Sequence, residues 1–500
     1  MTAERPPWMV PVPIRPSKFK ALRPSDARFN VEVDLSAIQT FTRGKCIPER
    51  ELVYSDLQTN ADTNIDQRLG SGRAGFYRGR YLKGIGRTQL AGNWNMPGEA
   101  YHNSGLLYAS SAVREYLVSE LLRAHRASHL IVPCSGLLLR SLPASFRTHQ
   151  KETFRGNLRV AGRKFELPRV DAHAQAITVK DGVFARFSNF AWWLCHFPQF
   201  RPGAHRSNIA RFFTLLSEQL GQGGARSKNE VGDLDAENIA SRLSAALTRS
   251  IEYFMDAWAL GINWGSLHNN FTMDGRFLDL ETPTVYRGTM WGSPFNLFDA
   301  QGELPKEFEL SAPDGTFVGF NVTSLVLQLQ RFVLFLESRL RYFKDSALVG
   351  QLEAQFIEQF LDALRTELSA PHILGSQAAL SAYVVGRMAR TLDLDSSETR
   401  LIAERFNWLS QELPFKHRGR KPRPPRPLKL YLAGGESLAR TEPASQVVTY
   451  IPGFMVERSA RTDPKNAAFN TWVTKIDSCK DIDQVFEFAD SATASFFGAK

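Results

Sequence analysis

The sequence predicts a two-lobed α+β fold, a small β-rich lobe followed by a larger helical lobe, on three observations. Between Tyr54 and Arg186, short runs with the two-residue period of strands surround one strong helix pattern near 110–124. Beyond Asn189 the period becomes helical, at 206–221, 235–262, 322–344, 346–369, 375–391 and 396–412. At 500 residues the chain also exceeds what one hydrophobic core usually organises.

Residues 1–60 read as an irregular N-terminal wrapping arm, because Pro6, Pro7, Pro11, Pro13 and Pro16 interrupt regular hydrogen bonding. Residues 61–187 read as the small lobe. There Gly75-Phe-Tyr-Arg-Gly-Arg-Tyr-Leu-Lys83 alternates like a hairpin whose last strand ends on a lysine. The helix pattern follows, with Ser110 and Ser111 as capping candidates and apolar residues at Val113, Leu117 and Leu121. His129-Leu-Ile-Val-Pro and Gly136-Leu-Leu-Leu-Arg read as short strands, and Gln175–Arg186 as a hairpin turning at Lys180-Asp-Gly182. Residues 188–413 are the expected helical lobe with a metal-binding loop. Residues 414–429 form a basic Pro-rich linker that cannot continue a helix, and 430–500 a tail module whose role is not legible.

Sixty-one basic residues against 51 acidic give a net charge of +10, which suits a polyanionic partner such as a nucleoside triphosphate. Much of the excess lies in the linker, at Lys416, Arg418, Arg420, Lys421, Arg423, Arg426 and Lys429. That cluster lacks interleaved aromatic residues, so a solvated linker is favoured over a nucleic-acid site. Cys46, Cys134, Cys195 and Cys479 form no CxxC pair and imply neither a disulfide framework nor a zinc site. No apolar run is long enough to span a membrane and the N-terminus lacks a secretory layout, so a cytoplasmic location is expected.

Three groups of residues carry candidate chemistry. Lys83 at a strand end and Glu115 on the following helix stand in the order of the lysine–glutamate pair of protein-kinase-like folds. A lysine buried near phosphates needs such a carboxylate to stay charged, and Glu120, on a different face of the helix, is the rival partner. Gly70, Gly72 and Arg73 make a Gly-rich turn whose N–H groups and guanidinium suit phosphate, and Arg87 adds a second cation. In Trp258–Asp279 a helix end, a polar loop and a short strand set Asn270 and Asp279 as hard oxygen donors for magnesium. Asp274, in the Met-Asp-Gly-Arg turn between them, reads as a turn former.

These blocks resemble, in order, the selenoprotein-O family of kinase-like protein adenylyltransferases. Leu69-Gly-Ser-Gly-Arg-Ala is similar to the family's LGDGR stretch, and Leu82-Lys-Gly-Ile-Gly-Arg-Thr88 to LKGAGRT. Ser110-Ser-Ala-Val-Arg-Glu-Tyr-Leu-Val-Ser-Glu120 is similar to SSIREYLCSE. The segment 183–197 resembles RVAPSHLRFGHF at Arg186 and at the closing His-Phe, and 258–279 resembles the family's metal-binding segment with one residue missing. The likeness spans roughly residues 54–285.

The resemblance implies a protein-kinase-like two-lobed fold that binds ATP with Mg (or Mn) and moves AMP to a hydroxyl of a protein or peptide acceptor. It implies an ion pair of Lys83 with Glu115, phosphate contacts from Arg73 and Arg186, and metal ligation by Asn270 and Asp279. Three positions depart from the family: its catalytic-loop aspartate is Asn269, its second phosphate arginine is Trp193, and its loop histidine is Trp264. An amide cannot accept a hydroxyl proton at neutral pH, so neighbouring His268 is the substitute base to consider. The alternatives are a catalytically weak pseudokinase that binds nucleotide as a partner subunit or scaffold, and an enzyme that adenylates a carboxylate or transfers phosphate.

Overall fold

The computed structural model describes residues 9–37, 48–58, 69–70, 72–88, 105–124, 126–142, 159–160, 163–164, 169–186, 189, 248–250, 252–253, 256–257, 260, 262–263, 272–280, 284–285, 377–400, 403 and 475–497. Its centre is a ten-stranded antiparallel sheet. The strands are β1 (Met9–Pro16), β2 (Lys20–Ala21), β3 (Val31–Val33), β4 (Leu52–Gln58), β5 (Leu69–Gly70), β6 (Ala74–Tyr77), β7 (Arg80–Lys83), β8 (Leu107–Tyr108) and β9 (Cys134–Ser141). Two more, β10 (Arg159–Val160) and β11 (Arg163–Lys164), pair only with each other, and β12 (Ala174–Asp181) completes the main sheet. The order is β2-β9-β12-β7-β6-β4-β1-β3, with β5 on β4 and β8 on β12. The short pair β13 (Ile262–Asn263) and β14 (Thr284–Val285) lies apart from it.

The expected hairpin forms as β6 and β7, joined by Arg78 at φ 49° and Gly79 at φ 74°. Two consecutive positive φ values match the right-handed strand twist in a two-residue loop.

Chain connectivity forces the sheet to curl. In a flat sheet the six spacings between β2 and β1 would separate them by about 29 Å. Residues 17–19 alone join Pro16 to Lys20, a reach of at most ~14 Å. The curl is closed by side chains from its two ends. Glu32 of β3 accepts from Arg140 of β9 at 2.5 Å and pairs with Arg15 of β1 at 2.8 Å, while the Arg140 guanidinium lies 4.5 Å from the Phe19 ring centre. Inside the curl lies an apolar cluster including Val12, Phe29, Val33, Val53, Leu82, Leu138, Ile177 and Val179.

Four helices have described limits: α1 (Ala109–Ala124), α2 (Arg169–His173), α3 (Gln377–Thr391) and α4 (Ile482–Phe497). α1 packs on β9 and β12, on the outer face of the sheet, and α4 covers α1 from behind. The whole stretch Ala109–Leu122 is therefore buried, polar residues included. Val485 and Ala489 of α4 are fully buried, and Arg123 of α1 stacks 4.7 Å from the Phe497 ring centre. Cys134 and Cys479 are both free thiols, and burial pushes the Cys134 thiol up to about 12, which makes it inert at neutral pH. Among the described residues no helix is long and apolar enough to cross a membrane.

Several expectations change. The N-terminal segment is not irregular: it supplies β1, β2 and β3. Asp34 N donates to the Pro13 carbonyl, so the odd-numbered backbone groups of β1 face the 31–34 side. The N–H groups that Pro11 and Pro13 lack are thereby not taken from the ladder with β4. Residues 128–130 form a 3-10 turn rather than a strand, and Ile131 makes only an isolated bridge. No hairpin turns at Lys180; β12 runs on through Asp181 and bends at Gly182, φ 82°. The capping carboxylate of α1 comes from Asp171, which accepts from Ser110 N at 2.8 Å, rather than from a serine. Of the expected helices, 375–391 appears as α3, while 206–221, 322–344 and 346–369 lie outside the described residues.

The closure has a pH signature. Burial pushes the Glu32 carboxyl up, but hydrogen bonds and charge from Arg140 and Arg15 outweigh it and hold the group below its ordinary range. A carboxyl depressed on folding stabilises above its unfolded value and loses that contribution as pH falls through the folded value. Melting temperatures measured from pH 6 to pH 3 should fall less steeply for Glu32→Gln than for the native chain, with a cost of roughly 1 kcal/mol at pH 6. Parallel curves would refute the closure as an electrostatic one.

Candidate functional site

The outer face of the sheet carries a row of polar side chains, and the strand register explains why they meet. Thr178 of β12 lies opposite Lys83 of β7, and Lys180 opposite Tyr81. Alternation places these four on one face, while Leu82 and Val179 point into the apolar cluster. α1 lies across that face and lowers Glu115 onto it. The Glu115 carboxylate is wholly buried and accepts at 2.7 Å from Lys83 Nζ, at 2.9 Å from Thr178 Oγ1, and lies 3.1 Å from Lys180 Nζ. Burying a carboxylate costs several kcal/mol unless charge and hydrogen bonds offset it. Two ammonium groups and a hydroxyl do so here.

After Lys83 the chain must pass close to β12. Gly84 has φ +99°, and a Cβ there would lie 2.2 Å from the Ala176 carbonyl oxygen, so only glycine fits.

The segment 272–280 brings in the fourth charged group. Thr272 and Gly275 close its turn, and the Asp274 carboxylate accepts from Thr272 Oγ1 and, at 2.7 Å, from Arg276 Nε. Asp274 is a turn former, as its sequence context predicts. The segment is stitched to the sheet region on two sides. Met273 N donates to the Ala185 carbonyl at 2.7 Å, and Phe277 exchanges backbone bonds with Leu130 and Val132. The chain leaving the turn, in place of the short strand the sequence predicts, is not part of a regular strand and carries Asp279 to 2.8 Å from Lys83 Nζ. Lys180 Nζ also donates at 2.5 Å to the carbonyl of Leu278, the residue before Asp279.

Exposure rises outward along this chain of charges. The side chains of Glu115, Lys180, Lys83 and Asp279 are 0, 1, 10 and 20% accessible. Asp279 is the most exposed of the four.

Arg186 lies beside it. Its guanidinium donates to the Tyr81 hydroxyl, its Nε is 3.5 Å from Asp56 Oδ2, and Asn189 Nδ2 donates to the same Asp56 oxygen at 3.1 Å. Burial works against the charged form of Arg186, but Tyr81, Asp56 and Asp279 outweigh it and raise its pKa. Asp279 therefore acts on both Lys83 and Arg186.

Lys83, Glu115 and Asp279 are thus brought together, with Arg186 inside their field. Arg73 precedes β6, and its guanidinium donates to the Leu106 carbonyl at 3.1 Å. Its own carbonyl accepts from Gly84 and Ile85, and that of Gly72 accepts from Thr88 N at 2.9 Å, so the Gly-rich turn packs on the segment after Lys83. Gly70 ends β5, and Arg87 is half-buried beyond β7. His268, Asn269 and Asn270, like Trp193 and Trp264, lie outside the described residues. Glu120 does not reach Lys83; it pairs with Arg123 and Arg23 on the other side of α1. Sequence reading missed Thr178, Lys180, Tyr81 and Asp56. The signal for the first two was the i, i+2 spacing of polar residues inside an otherwise apolar strand.

Among the described residues no group of three or more His, Cys, Asp or Glu could hold a metal by itself. Magnesium asks for less, because one or two protein oxygens suffice when phosphate and water fill its octahedron. The partly exposed carboxylate of Asp279 fits that requirement as one ligand. No protein-family model matches the chain, and no curated protein matches it either.

The arrangement predicts an asymmetry in stability. Glu115→Gln leaves two buried ammonium groups facing a neutral amide and should cost about 3–5 kcal/mol. Lys83→Met should cost less, because Glu115 keeps Lys180 and Thr178 and Asp279 keeps access to water. Urea unfolding followed by tryptophan fluorescence measures both, and equal losses would contradict the central position of Glu115.

Proposed function

We propose that the chain binds ATP with Mg²⁺ or Mn²⁺ beside Lys83 and Asp279, in a two-lobed protein-kinase-like fold, and transfers AMP to a hydroxyl of a protein or peptide acceptor. The observation that carries the nucleotide site is the meeting of Lys83, Glu115 and Asp279, separated by 32 and 196 positions along the chain. A strand lysine held by a helix carboxylate, next to an aspartate leaving a turn, is the arrangement that phosphoryl chemistry uses to grip phosphates and a cation. AMP as the transferred group rests on the ordered resemblance to selenoprotein-O blocks.

In this reading Glu115 orients the Lys83 ammonium toward phosphate oxygens, and Arg73, Arg87 and Arg186 add cationic donors. Backbone N–H groups of the turn containing Gly70 and Gly72 approach the same oxygens. Asp279 with Asn270 holds the cation, which when bound neutralises phosphate charge and polarises the phosphorus. The acceptor hydroxyl attacks the α-phosphorus, a new P–O bond forms, and pyrophosphate leaves. The hydroxyl proton passes to His268, because the Asn269 amide cannot take it.

Asn269 also favours a second reading, a nucleotide-binding pseudokinase that serves as a partner subunit or scaffold. Losing a general base costs about a hundred- to ten-thousandfold in rate, so a weak enzyme and a non-enzyme differ in degree.

Incubation with α-labelled ATP separates the two. An active enzyme labels an acceptor or itself, loses the label in Asp279→Ala, and gains rate in Asn269→Asp. A pseudokinase is stabilised by ATP without turnover. Label transfer that persists in Asp279→Ala would overturn the assigned site.

A further inference from the structure

Lys180 has no part in the proposed phosphate or metal contacts, yet it is among the most deeply buried charged residues described, at 0% exposure. Its ammonium touches two different pieces of the site: Glu115 Oε2 at 3.1 Å and the Leu278 carbonyl at 2.5 Å. Together with the pairs Lys83–Glu115 and Lys83–Asp279 this makes a closed circuit. It runs from Lys83 to Glu115, to Lys180, through the Leu278 carbonyl along the backbone to Asp279, and back to Lys83.

The two lysines do not play equal parts in that circuit. Lys83 is partly open to water and holds Asp279 by its carboxylate, the group that a cation would claim. Lys180 is sealed off and holds the same segment by a backbone carbonyl oxygen rather than by the Asp279 carboxylate. Any ligand that draws Lys83 toward phosphate, or Asp279 toward a cation, breaks the outer link and leaves the inner one intact.

We propose that Lys180 is a positioning residue, a latch that keeps the segment of Asp279 in place when Lys83 and Asp279 exchange each other for ligand. This rests on the nucleotide-and-cation reading of the site. Three observations argue for a latch rather than a filler. A methionine of similar length would fill the space without the cost of burying an ammonium group. One contact falls on the Glu115 carboxylate itself and the other on the residue before Asp279. Thr178, which shares the strand and the face, already gives Glu115 a donor at 2.9 Å, so Glu115 does not need Lys180 merely to be hydrogen-bonded. The Leu278 contact is the one that Thr178 does not duplicate.

The test compares the full native chain with Lys180→Met and Lys180→Arg. Affinity for a fluorescent ATP analogue is measured in EDTA and in Mg²⁺, and amide exchange is followed in peptides covering 272–280 and, as a control, 52–58. The native chain should bind more tightly with Mg²⁺. Lys180→Met should keep its EDTA affinity and lose about 10–100-fold of the metal-dependent gain, the range expected when a group that orients a metal ligand is removed. Lys180→Arg, which keeps the charge and two donors, should restore most of it. Exchange over 272–280 should quicken by about tenfold in Lys180→Met while 52–58 is unchanged. A metal-dependent gain that survives in Lys180→Met overturns the latch. If the native chain binds no nucleotide under either condition, the reading of the site fails, and exchange then decides on Lys180: selective quickening over 272–280 upholds the latch and unchanged exchange overturns it. Should Lys180→Met not fold, Lys180→Gln, which removes the charge and is one atom shorter, is measured in the same way with the same outcomes.

Discussion

The rest of the structure depends on keeping one carboxylate, that of Glu115, completely out of water. A charge in that position is tolerable only if charged and hydrogen-bonding partners surround it, and they arrive on two adjacent strands: Lys83 on β7, Lys180 and Thr178 on β12. The requirement constrains the register of two adjacent strands, since a slip by one residue would turn both lysines and the threonine to the opposite face. It also constrains the pitch and depth of α1. That helix is buried along nearly its whole length, with Asp171 fixing its N-terminus and α4 pressing from behind. Helix α4, which starts 373 positions after α1 starts, is thereby part of what holds Glu115 in place.

The opposite face of the sheet obeys a simpler rule. Most of its side chains are apolar and need cover, and the N-terminal segment supplies it by contributing strands to both ends of a sheet that must curl to accept them. The same segment brings Arg15 and Glu32, which with Arg140 tie the ends together through charge. One face thus carries the stability of an ordinary core, and the other carries the polar row. Separating them by the two-residue alternation of β7 and β12 lets a four-charge cluster sit next to an apolar interior without disturbing it.

Much of this was legible in the sequence where signals are local. The β6–β7 hairpin follows from strict alternation around a Gly-containing turn. The convergence of Lys83 with Glu115 was anticipated from their order on a strand and the next helix, whereas Asp279 was expected as a cation ligand on a short strand and its contact with Lys83 was not foreseen. The parts that were not legible depend on distant cover. Pro11 and Pro13 look like breakers until one knows that their missing N–H groups point away from β4. Lys180-Asp-Gly182 has the composition of a turn, and only the pairing of β12 with both β7 and β9 carries the strand past Lys180. The choice of Glu115 over Glu120 follows the face of α1 turned to the sheet, whereas Asp171 as its cap and α4 as its backing come from segments with no local signal pointing to them.

The central claim is that Lys83 and Asp279, 196 positions apart, share one charged contact in the folded chain. A double-mutant cycle on folding stability tests it most directly, using Lys83→Met, Asp279→Asn and the double variant. The account predicts a coupling of about 1 kcal/mol or more, because the double variant removes one contact rather than two. Additive effects, agreeing within about 0.3–0.5 kcal/mol, would contradict it.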